Sequence, residues 1–223
     1  MAFPPDDAGP ALWAGEGRCP EGWGAEGPLS VIILAGGRGR RFGGDKTSVR
    51  LGGETLLGRA VCRMAALSDD LIVAGGQMPH GMSAVVPRVV EDLTPYAGVM
   101  AGIAAGLSAC LYTWALVIAA DMPFVNLALV RYMATLRTGH DAVVPRLSVG
   151  LEPLHALYSV RCLPALHEAL ARGERRASSF YGPLAIRYLE EAEIARYDPE
   201  GRTFFNINTP EDLRRAEAWL REG

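Results

Sequence analysis

Cysteine is scarce in this chain and widely scattered. The four residues, Cys19, Cys62, Cys110 and Cys162, form no Cys-x-x-Cys pair, which excludes the common zinc-knuckle spacings and a dithiol redox motif. Free buried thiols in a reducing compartment are the expectation. Long apolar runs are also missing: no stretch approaches the roughly 18 uninterrupted apolar residues of a membrane span. Met1 to Asp7 carries two aspartates and no basic run, and no apolar segment follows. A secretory leader is therefore not expected, and the protein reads as cytoplasmic with no membrane partner. Neither sign of charge dominates. Lys plus Arg is 22 and Asp plus Glu is 25, so the formal charge is 22 − 25 = −3. That balance argues against a nucleic-acid partner but allows a local basic patch. No repeat at solenoid spacing is present.

What the sequence does contain is enough apolar material, 49% of 223 residues, to bury a core without disulfide or metal staples. Residues 1–28 stand apart, with six glycines, five prolines and little periodicity. They read as a flexible tail ahead of one domain, 29–223. Trp13 and Trp23 read as incidental within it. From Ser30 onward, short apolar runs alternate with helical spacing. Strands are expected at 31–34, 71–74, 85–90, 115–119, 142–144 and 154–160. Helices are expected at 56–67, 97–111, 127–136 and 162–172, the last stopping at Gly173. The run 115–119 is uncharged throughout, as strands buried on both faces are. The alternation implies an α/β fold, a single doubly wound and mostly parallel sheet flanked by helices. At the C-terminal end, Thr209-Pro210-Glu211-Asp212 places a hydroxyl at the N-cap, proline at the first helical position and an acid at the third. A helix therefore starts just after Asn206-Ile207-Asn208, which is expected to be a strand with Asn206 and Asn208 on one face.

In a doubly wound sheet, ligands bind beyond the carboxyl ends of the strands. The first such end is Leu34-Ala35-Gly36-Gly37-Arg38-Gly39-Arg40-Arg41-Phe42-Gly43-Gly44-Asp45-Lys46. Its five glycines let backbone amides approach an anion, and three arginines and a lysine add positive charge. The combination suits a triphosphate. It is not a Walker A loop, because Asp45 separates Gly44 from Lys46, nor a G-x-G-x-x-G fingerprint, because Phe42 stands where glycine is required. Asp121, at the end of the uncharged run and before Met122-Pro123, is a carboxylate facing the same crevice, able to bind Mg²⁺.

The segment L-A-G-G-x(n)-G-G-D-K resembles the signature loop of nucleotidyltransferases of the molybdenum cofactor guanylyltransferase (MobA) type, and the resemblance runs from about Ser30 to Leu220. It implies nucleotide binding by Leu34, Ala35, Gly36, Gly37, Lys46, Gly75, Asp92, Gly98 and Asp121. It also implies catalysis by Lys46, Arg41 and Asp121. Asp121 resembles the family's magnesium aspartate in C-D-x-P, with Ala120 in place of cysteine. Asn206 to Leu213 resembles the family's N-x-N-T-P-E-E-L, which implies Asn208 at the metal beside Asp121, and Asn206 and Asn208 at the acceptor. Gly150 to Tyr158 resembles the acceptor-side segment and implies Glu152. Arg176 is a further candidate for an acceptor phosphate. His155, on an apolar strand, reads as a satisfied core residue and not a catalytic one. Val99 replaces the proline usual after Gly98.

The activity implied is transfer of GMP from GTP to the phosphate of molybdenum-molybdopterin, with pyrophosphate leaving and Mg²⁺ as cofactor. The implied partners are GTP and molybdopterin, and beyond them other molybdenum cofactor biosynthesis proteins and apo-molybdoenzymes. The turn Gly75-Gly76-Gln77 departs from the family's Asn-rich turn near the base, which leaves a cytidylyltransferase of the same cofactor as the alternative. A sugar-phosphate nucleotidyltransferase of the same fold is the other. Sugar-transferring enzymes of related fold place D-x-D at the metal, and Ala119-Ala120-Asp121 lacks the first acid. No heptad seam is visible, so a monomer or a loose dimer is expected.

Overall fold

Every residue of the strand β1 (Ser30–Leu34) is buried, and its side chains feed two separate cores by alternation. Val31 and Ile33 join one cluster, Ile32 and Leu34 the other. Such two-faced burial is what a central strand between helical layers requires. The structure, a computed structural model, describes residues 23, 26–35, 49–75, 86–91 and 98–222. After β1 come the short antiparallel pair β2 (Arg50–Leu51) and β3 (Glu54–Thr55), then α1 (Leu56–Met64), β4 (Leu71–Ala74), β5 (Arg88–Val90), α2 (Val99–Ala109) and β6 (Trp114–Ala119). The second half adds α3 (Leu127–Thr135), β7 (Ala142–Leu147), β8 (Gly150–Leu151), β9 (His155–Ser159), α4 (Leu163–Ala171), β10 (Ile186–Glu190), α5 (Glu191–Ile194) and α6 (Pro210–Glu222).

The main sheet has the order β10–β7–β9–β6–β1–β4–β5, with β8 paired to β7. β1 is parallel to β4 and to β6, and β5 is parallel to β4. β9 runs antiparallel to both β6 and β7, and β10 is parallel to β7. The sheet is thus mostly parallel, as expected. One face is covered by Leu57, Ala60, Val61 and Met64 of α1 and by Leu129, Val130, Met133 and Ala134 of α3. Met100, Ile103, Ala104 and Leu107 of α2, with Ala165, Leu166 and Ala169 of α4, cover the other. Thr55 caps α1 by accepting from Gly58 N at 3.1 Å, and Asn126 caps α3 by accepting from Leu129 N at 3.0 Å. Gly173 ends α4 with φ +75.

α2 lies tight against the sheet. A Cβ on Gly106 would stand 2.5 Å from Ile32 Cγ2 and 2.9 Å from Ile32 Cγ1. Ile32 is branched and fully buried in the central strand, so it has nowhere to go. We expect Gly106→Ala to destabilise the fold: overpacking costs about 1–3 kcal/mol, which outweighs the about 1 kcal/mol that alanine gains over glycine in a helix. Chemical denaturation measures it, and an equal or raised midpoint would show that α2 can slide.

Several expectations need correction. Trp23, read as incidental to a tail ending at residue 28, is a core residue only 5% exposed and belongs to the β1–α1–α3 cluster. The reason is the fully buried Arg137 just after α3. Its guanidinium donates to the main-chain oxygens of Trp23, Gly27 (2.8 Å) and Ala134 (2.8 Å) and lies 5.7 Å from the Trp114 ring centroid. Burial pushes its pKa down to about 10. The core therefore includes Trp23, and residues 1–22, 24 and 25 lie outside the described residues. Cys62, expected to be a buried thiol, is exposed, whereas Cys162 is buried. The pair β2–β3, β8 and β10 were not foreseen, and Asn206-Ile207-Asn208 is not a strand of the sheet.

Candidate active site

Because β1 is flanked by β4 on one side and β6 on the other, the chain order reverses at its carboxyl end, which is where open α/β sheets form their crevice. A line of main-chain hydrogen bonds draws that rim together. Gly75 N donates to Val90 O (3.2 Å), Ala35 N to Ala74 O (2.9 Å) and Ala120 N to Leu34 O (3.0 Å). Beyond them, Ala119 N donates to Leu154 O (3.2 Å) and Ile207 N to Asp121 O (3.0 Å). Leu34, Ala35, Gly75 and Asp121 therefore share one edge. The glycine-rich basic loop departs from that edge at Ala35. Gly36, Gly37, Arg41 and Lys46, like Asp92, lie outside the described residues.

Gly98 belongs to the same end of the sheet. α2 finishes at the opposite end, where Arg88 Nη2 donates both to Ala109 O (2.7 Å) and to Asp70 Oδ1 (2.5 Å). The start of α2 is thus turned towards the crevice. Gly98 precedes it with φ 72 and ψ −155, a conformation essentially restricted to glycine. Asp70 is a useful contrast to Asp121. It is buried, and its carboxylate accepts from Ser30 Oγ (2.5 Å), Leu111 N (2.8 Å) and Arg88. It is a structural acid at the wrong end of the strands for ligand chemistry.

The segment after the short helical turn 202–204 runs past Asp121 and into α6. Thr209 and Asp212 cap each other: Asp212 N donates to Thr209 Oγ1 (3.1 Å), and Asp212 Oδ2 accepts from Thr209 N (2.8 Å) and Asn208 N (2.9 Å). The expected cap is therefore present, and it fixes the backbone of Asn208 one residue beyond the bond from Ile207 to Asp121. Asn206 Nδ2 donates to Phe204 O at 3.2 Å. The structure thus brings Asp121 and Asn206–Asn208 together, through Ile207 and not through a strand ladder.

Glu152 reaches the rim because β9 begins where β6 ends. His155 pairs with Ile118, so the preceding turn, 152–154, sits at the carboxyl end of β6. The main-chain oxygens of that turn are tied down. Glu152 O accepts from His155 N (3.1 Å), Pro153 O from Tyr158 Oη (2.9 Å) and Leu154 O from Ala119 N. Burial pushes the Glu152 carboxyl up from its ordinary range. Arg176 is exposed on the loop after α4, its carbonyl accepting from Ser179 N at 3.0 Å. His155 is a core residue as expected, but not a satisfied one. It is fully buried, its ring meets Phe204 edge-on at 5.1 Å, and neither nitrogen has a hydrogen-bond partner among the described residues. A separate open cleft of about 400 Å³ between the β2–β3 turn and α6, lined by Arg50, Glu217 and Arg221, contains none of the candidate residues.

Residues 31–188 match the MobA-like NTP transferase domain. The chain belongs to the MobA-like NTP transferase family. This MobA-like chain is 37% identical over 199 residues to the molybdenum cofactor guanylyltransferase of Desulfosudis oleivorans, covering 87% of its own length and 97% of that protein. Its fold is similar to the crystal structure of the molybdopterin-guanine dinucleotide biosynthesis protein A from Archaeoglobus fulgidus, with TM-score 0.75, 29% identity, and coverage of 87% of this chain and 100% of that one. The 2-C-methyl-D-erythritol 4-phosphate cytidylyltransferase of Thermus thermophilus shares the fold alone, with TM-score 0.64 at 20% identity, over 87% of this chain and 99% of that one. Missed from sequence were Tyr158 and Tyr181, which are far apart in the chain and whose hydroxyls meet only on folding. No helix of the described residues is long and apolar enough to cross a membrane.

Proposed function

We propose that this protein transfers GMP from GTP to the phosphate of molybdenum-molybdopterin and releases pyrophosphate. The observation that carries the reading is near full-length similarity to a protein named molybdenum cofactor guanylyltransferase. The rooting of the glycine-rich basic loop beside Asp121 supports it. An acceptor phosphate oxygen forms a bond to the α-phosphorus. The bond from that phosphorus to the bridging oxygen breaks, and its electron pair leaves with pyrophosphate. The acceptor is already anionic, so neither an enzyme nucleophile nor a strong base is needed. The work of the chain is to align two anions and offset their charge.

In this reading Leu34 and Ala35 line the floor of the nucleotide site, the amides at Gly36 and Gly37 cradle the triphosphate, and Lys46 and Arg41 stabilise the departing pyrophosphate. Gly75, Asp92 and Gly98 line the nucleoside side. Glu152, Asn206, Asn208 and Arg176 face the acceptor. No group of three or more His, Cys, Asp or Glu converges among the described residues. The donors at hand are hard and few, the Asp121 carboxylate and the Asn208 amide oxygen. That set fits Mg²⁺, which keeps waters and substrate phosphates as its remaining ligands. Asp121 and Asn208 would hold it, and when bound it would neutralise phosphate charge. The protein would act in the cytoplasm and pass its product to apo-molybdoenzymes.

Pyrophosphate release should be measured with GTP and with CTP, each with and without molybdenum-molybdopterin and Mg²⁺. Release with GTP that requires the acceptor is expected. Preference for CTP would convert the reading to a cytidylyltransferase, and no release with either would overturn it.

A further inference from the structure

Two candidate acceptor residues of opposite charge, Glu152 and Arg176, lie on different segments, and a pair of buried tyrosines joins those segments. Tyr158, on β9, is fully buried; its hydroxyl donates to Pro153 O at 2.9 Å, inside the turn that carries Glu152. The hydroxyl of Tyr181 lies 2.5 Å from that of Tyr158. Tyr181 in turn closes a series of overlapping turns that begins at Arg176. Ser179 N donates to Arg176 O (3.0 Å), Tyr181 N to Ser178 O (3.3 Å) and Leu184 N to Tyr181 O (3.0 Å). The Tyr181 ring is also wedged against Phe180, with centroids 4.9 Å apart at 85°. The hydroxyl protons thus run in one direction, Tyr181 to Tyr158 to Pro153. Burial pushes both phenols up, so each keeps the proton it donates. Hydrophobic packing alone would be met by phenylalanine at both positions. Two phenols sharing one hydrogen bond, with a main-chain oxygen at the end of the chain, specify a distance between the two segments.

We propose that Tyr158 and Tyr181 are positioning residues that set the spacing between the Glu152 turn and the Arg176 loop, and so the fit of the acceptor. This rests on the reading of Glu152 and Arg176 as acceptor residues. Neither tyrosine touches substrate; each acts through the main chain it holds.

The test uses the full chain carrying Tyr181→Phe, which keeps the ring packing and removes one hydroxyl, with Tyr158→Phe as the second variant. Loss of one ordinary hydrogen bond corresponds to about a 5- to 10-fold change in an equilibrium. The KM for molybdenum-molybdopterin should rise by about that factor, with kcat and the KM for GTP within about twofold. In parallel, hydrogen exchange should accelerate at the amides of Glu152 and His155, neither of which residue 181 contacts through its hydroxyl. Equal rises in both KM values, a fall in kcat alone, or unchanged exchange at 152 and 155 would each overturn the proposal. The exchange arm is read on the protein by itself. If the wild-type chain releases no pyrophosphate, the acceptor reading fails, while exchange still decides whether the tyrosines couple the two segments.

Discussion

Lys46→Ala is expected to slow pyrophosphate release from GTP by about two to three orders of magnitude. The charge that develops in this reaction goes to the leaving group. A cation placed to meet it supplies a few kcal/mol that the ground state does not need, and about 1.4 kcal/mol is a factor of ten. The loop that carries Lys46 leaves the sheet at Ala35, whose neighbour Leu34 accepts a hydrogen bond from Ala120, next to Asp121. In the proposed reading Lys46 acts on a nucleotide bound beyond those strand ends. The loss should fall on kcat with a smaller change in the KM for GTP, since an interaction made mainly in the transition state lowers kcat and kcat/KM together. Turnover within twofold of wild type would defeat the assignment.

The second large effect concerns stability in acid. His155 is fully buried, and burial pulls its imidazole down to about 4 from an ordinary value of 6.5. Between those two values the unfolded chain binds a proton that the folded chain refuses. Stability is therefore at its full level above about pH 6.5 and falls as pH drops towards 4, by up to about 3 kcal/mol. His155→Leu keeps an apolar side chain beside Phe204 and Ile118 and removes the proton site. Urea unfolding across that window should show a flatter profile for the variant. Parallel curves for the two proteins would show that other groups carry the acid sensitivity.

Much of this architecture was legible in residues that answer to a local rule. The runs 31–34 and 115–119 are apolar without alternation, and they became β1 and β6, buried on both faces. Thr209 and Asp212 satisfy a cap that depends on four consecutive residues. What escaped notice depends on partners far along the chain. Periodicity does not encode strand direction, so the reversal of β9 was invisible until its register with β6 was known. β10, Ile-Arg-Tyr-Leu-Glu, carries charge at two of five positions because it is an edge strand, and it reads as loop. Trp23 was hidden in a glycine- and proline-rich setting, with its partner Arg137 more than a hundred residues away. At the site, the strand ends, Asp121 and the Asn206–Asn208 segment were readable from position and motif. The tie through Ile207 and the tyrosine pair required coordinates.

Arg137 has a consequence for how the front of the domain can vary. The oxygens it takes from Trp23 and Gly27 belong to the main chain, and every amino acid supplies one. Arg137 therefore reads the course of the main chain there and not its side chains, and a deletion between Trp23 and Gly27 would strand a guanidinium in a dry interior. Glu26, whose carboxylate accepts from Trp114 Nε1, and Gly27, at φ 73, are held by identity as well. Natural variants should keep the count of residues between Trp23 and Gly27, a constraint that percentage identity does not register.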